Sequence, residues 1–448
     1  MHAVGAIRRP RAVVFAVLPS AHEETEGDDQ LAEIKELLRS ADIEVAAEVV
    51  QRRQHPHPKS YLYPGKLEEL RRTVRREKAT VAVCEDDLSP AQVAAVLDAI
   101  DDCDVYDRTE LIISVFARHA HTLEGTLQVH LAQLEYELTR MRGKGMILSR
   151  LGAGVDMRGP GETKLEVDRR VVRKRIQALR RRIDHMSRTR RTQRGRRLRA
   201  DLPLTCLAGY TNAGKSTLLN ALTDAHVSVR DRLFETLDPT TRTYRYRDRD
   251  YVITDTVGFI RKLPHQLVDA FASTLEETTI ADLILVVADA AQPLSEIDER
   301  LAVVADVLQM IGSGDVPRQL VLNKIDLLDA GGRERLSARY PEAVQVSART
   351  GENLEALLST IADFFGRHLR RVTLLVPYAE AGLVSRLRGS AADVVEQNTA
   401  EGILVRASLT AEDLGRYARF RVDQADAVGD LGSDQPEDGE EGQEEPHS

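Results

Sequence analysis

One loop constrains this chain of 448 residues more than any other feature. Residues 209–216 read GYTNAGKS, which fits the pattern GxxxxGK[ST] and stands between a buried-type strand and a helix. Backbone N–H groups of such a loop surround phosphate oxygens, and the helix N-terminus adds partial positive charge. The loop predicts a P-loop nucleotide fold, in which Lys215 reaches the β- and γ-phosphates and Ser216 ligates Mg²⁺.

A second phosphate motif, Asp255-Thr-Val-Gly258, ends the next inner strand. We expect Asp255 to hold Mg²⁺ through a water molecule and the Gly258 N–H to contact the γ-phosphate. Many GTPases carry a glutamine directly after this motif, and that glutamine orients the attacking water. Here the position is Phe259. Because phenylalanine makes no such hydrogen bond, we expect slow hydrolysis unless a partner or another residue positions the water.

Two later motifs indicate that the base is guanine. In Asn323-Lys-Ile-Asp326, a carboxylate can accept hydrogen bonds from N1–H and the 2-amino group of guanine, a pair that adenine does not offer. We expect Asn323 at the N7 edge and Lys324 over the sugar and base. Ser347-Ala-Arg349 follows a short strand and would place a backbone N–H on guanine O6. The four motifs in this order predict an enzyme that hydrolyses GTP to GDP and phosphate.

A GTPase also needs a threonine that closes onto Mg²⁺ when the γ-phosphate is present. The segment 233–241 offers Thr236, Thr240 and Thr241. We favour Thr236, with Thr240 second, and the sequence alone does not decide. We predict Lys215, Thr236 and Gly258 as catalytic residues and Ser216 and Thr236 as Mg²⁺ ligands. The predicted nucleotide contacts are Gly209, Tyr210, Thr211, Asn212, Ala213, Gly214, Lys215, Ser216, Thr217, Phe234, Glu235, Thr236, Leu237, Asp238, Asp255, Thr256, Val257, Gly258, Asn323, Lys324, Ile325, Asp326, Ser347, Ala348 and Arg349.

Alternating strand and helix signals on both sides of a helical stretch predict a multi-domain α/β protein. Buried-type strands with helices between most of them indicate a doubly wound P-loop domain. The predicted parts are an N-terminal α/β domain (1–121), an antiparallel helical hairpin (122–200), the GTPase domain (201–371), a small C-terminal α/β domain (372–422) and an acidic, disordered tail (423–448).

The hairpin prediction rests on apolar residues that repeat at alternating spacings of four and three. Two such seams, separated by a glycine-rich break, are typical of two packed antiparallel helices. The first seam is Leu127, Leu131, Leu134, Leu138 and Met141, and the second is Val172, Ile176, Leu179, Ile183 and Met186.

Charge is distributed unevenly along the chain. The net charge is −9, but ten of the 71 acidic residues lie between Asp423 and Ser448, and the other 61 nearly balance the 62 Lys and Arg. Residues 169–199 hold fifteen Arg or Lys and one acid, Asp184. Such a block indicates contact with nucleic acid or another polyanion.

Cysteine and hydropathy patterns point to a cytoplasmic protein. The three cysteines, Cys84, Cys103 and Cys206, lack metal-ligand spacing, so we expect structural thiols in a reducing compartment. We find no signal peptide and no apolar run long enough to span a membrane. The absence of an amphipathic anchor with exposed aromatic residues argues against a membrane-remodelling GTPase.

Several strings resemble the HflX family of ribosome-associated P-loop GTPases, over nearly the whole chain up to about Val422. The most specific are residues 158–163 (RGPGET), 209–216, 237–240 (LDPT) and 255–259 (DTVGF), and residues 107–111 (DRTEL) also match. The resemblance implies the domain order given above and binding to rRNA at the intersubunit face of the large ribosomal subunit. It further implies that the glycine-rich loop approaches the peptidyl-transferase region and that the protein separates stalled or hibernating ribosomes. We expect a monomer in solution.

The chain departs from that family at two places. Family members usually carry glycine where Asp156 stands, and the tail after Val422 lies outside the shared pattern. Some members also hydrolyse ATP through the N-terminal domain, but residues 12–120 contain no second GxxxxGK[ST] loop, and the Gly65-Lys66 pair is weak support. The alternatives are an assembly GTPase for the large subunit and a GTP-switched RNA-binding regulator that does not act on ribosomes.

Overall fold

A computed structural model of the protein describes residues 9–19, 24–100, 102–151, 160–198, 202–223, 234, 240–247, 249–262, 264, 267, 277–366, 370–409 and 411–422. By compactness the chain divides into two units, residues 1–244 with 251–359 and residues 245–250 with 360–448, and each is described by itself. Among the described residues, no helix combines the length and the apolar character that a membrane crossing requires.

The first unit begins with a parallel sheet in the strand order β2-β1-β3-β4. Successive residues of β1 alternate between two cores, with Val14 in one and Phe15 in the other, because helices cover both faces of the sheet. The α/β class expected here is confirmed. Its strands are β1 (Arg11–Leu18), β2 (Glu44–Arg52), β3 (Val81–Cys84) and β4 (Asp104–Tyr106), and its helices are α1 (Glu24–Ser40), α2 (Pro64–Glu77), α3 (Pro90–Ala99) and α4 (Arg108–His119).

Two long helices follow, α5 (Leu123–Leu151) and α6 (Pro160–Leu198). They pack through an apolar seam. The seam buries Leu127, Leu131, Leu134, Val172, Ile176, Leu179 and Ile183, with Leu138, Met141 and Met186 partly buried beside them. These are the ten residues whose spacing predicted the hairpin. The loop 152–159, with Asp156, lies outside the described residues.

The predicted GTPase domain contains a six-stranded sheet in the order β10-β9-β8-β5-β7-β6. The chain leaves β5 toward one edge and then continues on the other side through β8, so the sheet is doubly wound as expected, with its switch point beside β5. Its strands are β5 (Leu204–Gly209), β6 (Thr240–Tyr246), β7 (Arg249–Asp255), β8 (Leu283–Asp289), β9 (Arg318–Asn323) and β10 (Val344–Gln345), and its helices are α7 (Lys215–Thr223), α8 (Leu294–Met310), α9 (Ala330–Arg339) and α10 (Leu354–Gly366).

The second unit has an antiparallel sheet in the order β12-β13-β11-β14. Its core is aliphatic and includes Val376, Leu387, Val405 and Leu409. The first strand begins two residues before the predicted boundary at 372, and the acidic tail 423–448 lies outside the described residues. The elements are β11 (Arg370–Val376), α11 (Gly382–Ser390), β12 (Ala392–Asn398), β13 (Ile403–Leu409), α12 (Ala411–Arg416) and β14 (Arg421–Val422).

Candidate nucleotide-binding site

The glycine-rich loop joins the end of β5 to the start of α7, at the switch point of the sheet. A Cβ at Gly209 would collide with the carbonyl oxygen of Val287 on β8. Gly214 has φ +89°, and a Cβ there would collide with the side-chain amide of Asn323. Only glycine fits both positions, so the loop passes close to the neighbouring strands and leaves its backbone amides available for an anion.

Lys215 lies inside this loop and is 7% exposed. Its Nζ donates to the carbonyl oxygens of Gly209, at 3.1 Å, and Tyr210, at 3.0 Å. Burial lowers the pKa of the Lys215 ammonium to about 8, although the nearby Asp255 carboxylate opposes this shift. A buried cation held by backbone carbonyls is suited to pairing with a polyphosphate.

Ser216 and Asp255 meet beside this lysine. The Ser216 hydroxyl donates to Oδ2 of Asp255 at 2.6 Å, and Asp255 is fully buried at the end of β7. A hydroxyl and a carboxylate oxygen are hard ligands of the kind that Mg²⁺ prefers, and Mg²⁺ commonly keeps several waters in addition. Within the described part of the chain, no group of three or more His, Cys, Asp or Glu side chains could hold a metal ion.

The DTVG motif packs directly on the glycine-rich loop. The Thr211 N–H donates to the Phe259 carbonyl at 2.8 Å, and the Phe259 N–H donates to the Gly209 carbonyl at 3.1 Å. A Cβ at Gly258 would lie 2.9 Å from Cγ2 of Thr211 and 3.0 Å from Nζ of Lys215, which explains the glycine. The two phosphate motifs therefore form one backbone-linked surface.

The side chain of Phe259 points away from this surface. It is 1% exposed and packs in the sheet core with Cys206, Ala208 and Ile284. The residue in the usual glutamine position is therefore a core residue here, and any group that orients water must come from elsewhere.

The guanine motifs converge at the carboxyl ends of β9 and β10. The Asn323 amide donates to the Ala213 carbonyl at 3.0 Å and accepts from the Ala348 N–H at 3.0 Å, so it links the glycine-rich loop to the SAR motif. The Ser347 hydroxyl donates to Oδ1 of Asp326 at 2.7 Å, which fixes the half-buried carboxylate. Arg349 is exposed.

Sequence reasoning missed one residue of this cluster, Asp289. Its carboxylate pairs with Nζ of Lys324 at 2.8 Å and thereby orients the lysine. Asp289 is the last residue of β8. An acid at the carboxyl end of a buried parallel strand, on the edge where the other motifs lie, is a signal that could have identified it.

The structure places the threonine candidates unequally. Thr240 begins β6, and the Thr241 hydroxyl lies 3.0 Å from that of Thr254. Thr236 and its neighbours 235–239 lie outside the described residues, so the favoured candidate stays a prediction. Phe234 is buried, and its ring packs on that of Phe116 of α4 with centroids 4.4 Å apart.

The outer faces of α6 form a second feature of interest. Its exposed cations include Arg170, Arg173, Lys174, Arg175, Arg181 and Arg182. Arg180 pairs with Glu135 of α5 at 2.7 Å, and Arg169 donates to the Met141 carbonyl at 2.7 Å. The structure gives the six exposed cations no ion pair among the residues it describes, so their charge faces solvent.

Comparison with known proteins finds related chains over nearly this whole length. Three family descriptions match in succession: "GTP-binding GTPase N-terminal" over residues 28–117, "GTP-binding GTPase Middle Region" over 119–197 and "50S ribosome-binding GTPase" over 205–324. The chain is 41% identical to the GTPase HflX of Caldanaerobacter subterraneus over 415 residues, which are 92% of this chain and 94% of that protein. It is 42% identical to the GTPase HflX of Escherichia coli over 361 residues, which are 80% and 84% of the two chains. A GTP-binding protein from Sulfolobus solfataricus, solved in complex with GDP, aligns with 80% of this chain and 99% of its own at 24% identity and a TM-score of 0.42.

Proposed function

Because this chain belongs to the HflX family of GTPases, we propose that it is a GTP-switched factor that binds the large ribosomal subunit and separates stalled or hibernating ribosomes. The observation that carries this proposal is the row of exposed cations on α6, to which the described residues offer no ion pair, in the same chain as a GTPase domain. Support also comes from residues 205–324, which match a family described as a 50S ribosome-binding GTPase.

The proposed roles at the nucleotide combine the sequence motifs with the geometry of the glycine-rich loop. Lys215 pairs with the β- and γ-phosphates, and the Gly258 N–H donates to the γ-phosphate. In this proposal, Ser216 and Thr236 would hold Mg²⁺ directly and Asp255 would hold it through water. When bound, the ion would neutralise negative charge that develops on the phosphate oxygens. Backbone amides of the glycine-rich loop hold the remaining phosphate oxygens in place, so the reacting group is oriented before a water attacks.

Base selection rests on Asp326. The carboxylate, fixed by the Ser347 hydroxyl at 2.7 Å, accepts from N1–H and the 2-amino group of guanine. In this proposal Asn323, which also joins the loop at Ala213 to Ala348, contacts the N7 edge of guanine. Adenine would leave the Asp326 carboxylate without donors, and an unpaired polar group at a binding site is costly.

The hairpin supplies the proposed contact with rRNA. The apolar seam is buried between α5 and α6, so the arginine-rich faces of α6 are exposed to solvent. In this proposal those faces bind phosphates of the rRNA. Double-stranded RNA is contacted largely through backbone phosphates and shape, a mode that suits a rigid cationic helix pair.

A GTPase assay with and without purified large ribosomal subunits, at moderate salt, tests this function. We expect strong stimulation, because the subunit supplies the ordering that Phe259 cannot. The variant Lys174→Glu/Arg181→Glu, altered on one exposed face of α6, should lose co-sedimentation with the subunit and lose the stimulation. The matched control Arg318→Glu/Arg335→Glu, with the same charge change on exposed residues of the GTPase domain, should keep both.

Other results would redirect the proposal. An unchanged rate together with binding to naked RNA would favour an RNA-binding regulator. Preferential binding to immature subunits over mature ones would favour an assembly factor. Release of subunits from intact 70S particles upon addition of protein and GTP is the outcome that we expect.

A further inference from the structure

Asp107 and Arg108 are neighbours at the start of α4, and they face two different parts of the protein. They open the DRTEL string, residues 107–111, which the nucleotide site does not use. Asp107 faces the hairpin: it accepts a hydrogen bond from the Tyr136 hydroxyl and pairs with the Arg140 guanidinium of α5 at 3.3 Å.

Arg108 turns toward the GTPase domain. Its side chain is 2% exposed and pairs with Glu33 at 3.1 Å and Glu85 at 3.5 Å. It also donates to the backbone carbonyl oxygen of Arg261 at 3.2 Å. Arg261 is the third residue after Gly258, in the segment that follows the γ-phosphate motif. A buried guanidinium of the N-terminal domain therefore holds the backbone of this segment.

The backbone N–H of Arg261 is hydrogen-bonded to a residue of the glycine-rich loop. This N–H donates to the Tyr210 hydroxyl at 2.9 Å, and that hydroxyl donates to Glu33 at 2.8 Å. The Tyr210 carbonyl in turn accepts from Nζ of Lys215 at 3.0 Å. Hydrogen bonds to Arg261 and Tyr210, together with the covalent structure of these two residues, thus connect Arg108 to Lys215.

The next residue, Lys262, is fixed in the same way. It has φ +51°, a backbone conformation that residues other than glycine rarely adopt. Its Nζ pairs with Asp86 at 2.6 Å and Glu85 at 3.5 Å, both in the loop after β3. Such a conformation persists only where surrounding contacts over-determine it. The segment after the DTVG motif is therefore held from two sides by the N-terminal domain.

We propose that Arg108 is a positioning residue for GTP hydrolysis, which fixes residues 260–262 behind Gly258. Burying charged groups is costly, and apolar residues of similar volume often stabilise a fold as well as a buried ion pair does. Stability alone therefore does not explain the buried cluster of Arg108, Glu33 and Glu85. Each bond of Arg108 instead sets the position of a group linked to the phosphate loop. In this proposal, a displacement of Gly258 on γ-phosphate binding or release shifts Arg261 relative to Arg108. Asp107, the neighbour of Arg108, transmits the shift to α5 through its contacts with Tyr136 and Arg140. The inference rests on the GTPase activity and not on ribosome binding.

Single-turnover and steady-state GTP hydrolysis by the full chain, without ribosomes, tests the role. Arg108→Lys keeps the charge but lacks the planar fork that contacts the Arg261 carbonyl and the carboxylates of Glu33 and Glu85 together. We expect kcat to fall about tenfold, because a misplaced switch loses orientation, while KM changes less than about twofold. Tyr210→Phe keeps the ring and removes both hydrogen bonds of the hydroxyl, so it should give a similar loss of kcat. The double variant Arg108→Lys/Tyr210→Phe should be no slower than either single variant, because both changes interrupt the same connection between Arg108 and Lys215.

Arg118→Lys is the matched control on the same helix. Arg118 is 46% exposed and pairs with Asp42 at 3.3 Å, within the N-terminal domain, so this change should leave kcat unaltered. Thermal unfolding of every variant separates lost fold from lost rate, and Tyr210→Phe tests the path if Arg108→Lys does not fold. Unchanged kcat in a folded Arg108→Lys or Tyr210→Phe protein, or losses that multiply in the double variant, would overturn the proposal.

Discussion

Phe259 occupies a sequence position that is often catalytic in GTPases, but its side chain packs in the core of the sheet. It follows the DTVG motif but is 1% exposed among Cys206, Ala208 and Ile284. We predict that Phe259→Gln does not speed hydrolysis. It should lower the free energy of unfolding by about 3 kcal/mol, because it removes a packed ring and buries an unpartnered amide. Denaturant unfolding and single-turnover hydrolysis measure the two effects, and Phe259→Leu, which stays apolar, should cost less. A faster Gln variant would contradict this assignment.

Asp326 carries the second prediction. Asp326→Asn should weaken GTP binding by about 100-fold and shift preference toward xanthosine triphosphate, because an amide donates where the carboxylate accepted. Competition with a fluorescent GTP analogue measures both. Ser347→Ala removes only the hydroxyl that orients the carboxylate at 2.7 Å, so it should weaken binding less and keep the preference for guanine. An Asp326→Asn protein that keeps the unmodified affinity and preference for GTP would argue against the base assignment.

Glu85 makes the stability of the protein depend on pH. Burial, and next the charge of Asp86, raise the pKa of this carboxyl from 4.5 to about 7, against the attraction of Lys262 and Arg108. The folded protein therefore holds a proton that the unfolded chain releases. The resulting stabilisation is complete below pH 4.5 and is lost as the pH rises through about 7.

Glu85→Gln should remove that dependence. As the pH rises from about 5 to about 8, we expect the Tm of the variant to increase relative to the Tm of the unmodified protein. Thermal unfolding across this range measures it, with the exposed Glu334→Gln as control. A difference in Tm that stays constant with pH would show that Glu85 does not titrate there.

Residues of the nucleotide site could be predicted from the sequence where the backbone geometry accepts only one residue type. Gly209 and Gly214 tolerate no side chain, and the Ser216–Asp255 pair follows from two fixed motifs. Asp289 escaped prediction because it acts through Lys324 and belongs to no motif. The contact of Arg108 with the Arg261 carbonyl escaped because it joins residues 153 positions apart, a pairing that only the folded chain reveals.

At the scale of elements, the hairpin was the most predictable part and α4 the least. Ten seam residues at alternating spacings of four and three specify two packed helices, because a helix presents the same face every three or four residues. In α4, by contrast, Leu111, Ile112, Ile113, Val115 and Phe116 are all buried. A nearly continuous apolar run of that kind does not distinguish a buried helix from a strand. The three-residue β4 offers no periodicity at all.

The seam makes a prediction about this element alone. Ile176→Ala should lower the local stability of the α5–α6 pair by about 3 kcal/mol, because the side chain is buried between the helices. Hydrogen exchange of seam amides reports this loss, and Gln177→Ala, on the exposed face, is the control. Basal GTP hydrolysis should not change, since the seam residues that the structure describes pack with one another and not with residues 209–216. Exchange that is equally fast in both variants would mean that the seam contributes little to holding the helices together.

At the scale of the whole molecule, net charge and local charge oppose each other. The chain carries −9 overall, so its long-range field repels a polyanion, and the ten acids after Val422 add to that repulsion. In the proposed complex we expect attraction to rRNA to come from the cations of α6, acting within a Debye length of about 8 Å at physiological salt. The affinity for large subunits then depends on how many phosphates those cations neutralise, not on the total charge of the protein.

Salt dependence measures that number directly. The logarithm of the affinity should fall linearly with the logarithm of salt concentration, with a slope set by the phosphates contacted. Lys174→Glu/Arg181→Glu removes two exposed cations and should make the slope shallower by about 2. Truncation after Val422 removes acids but no contacting cation, so it should raise the affinity or leave it unaltered while the slope stays the same. If the slope instead changes with the tail and not with the α6 variant, the cations of α6 are not the rRNA contact, and net charge governs the association.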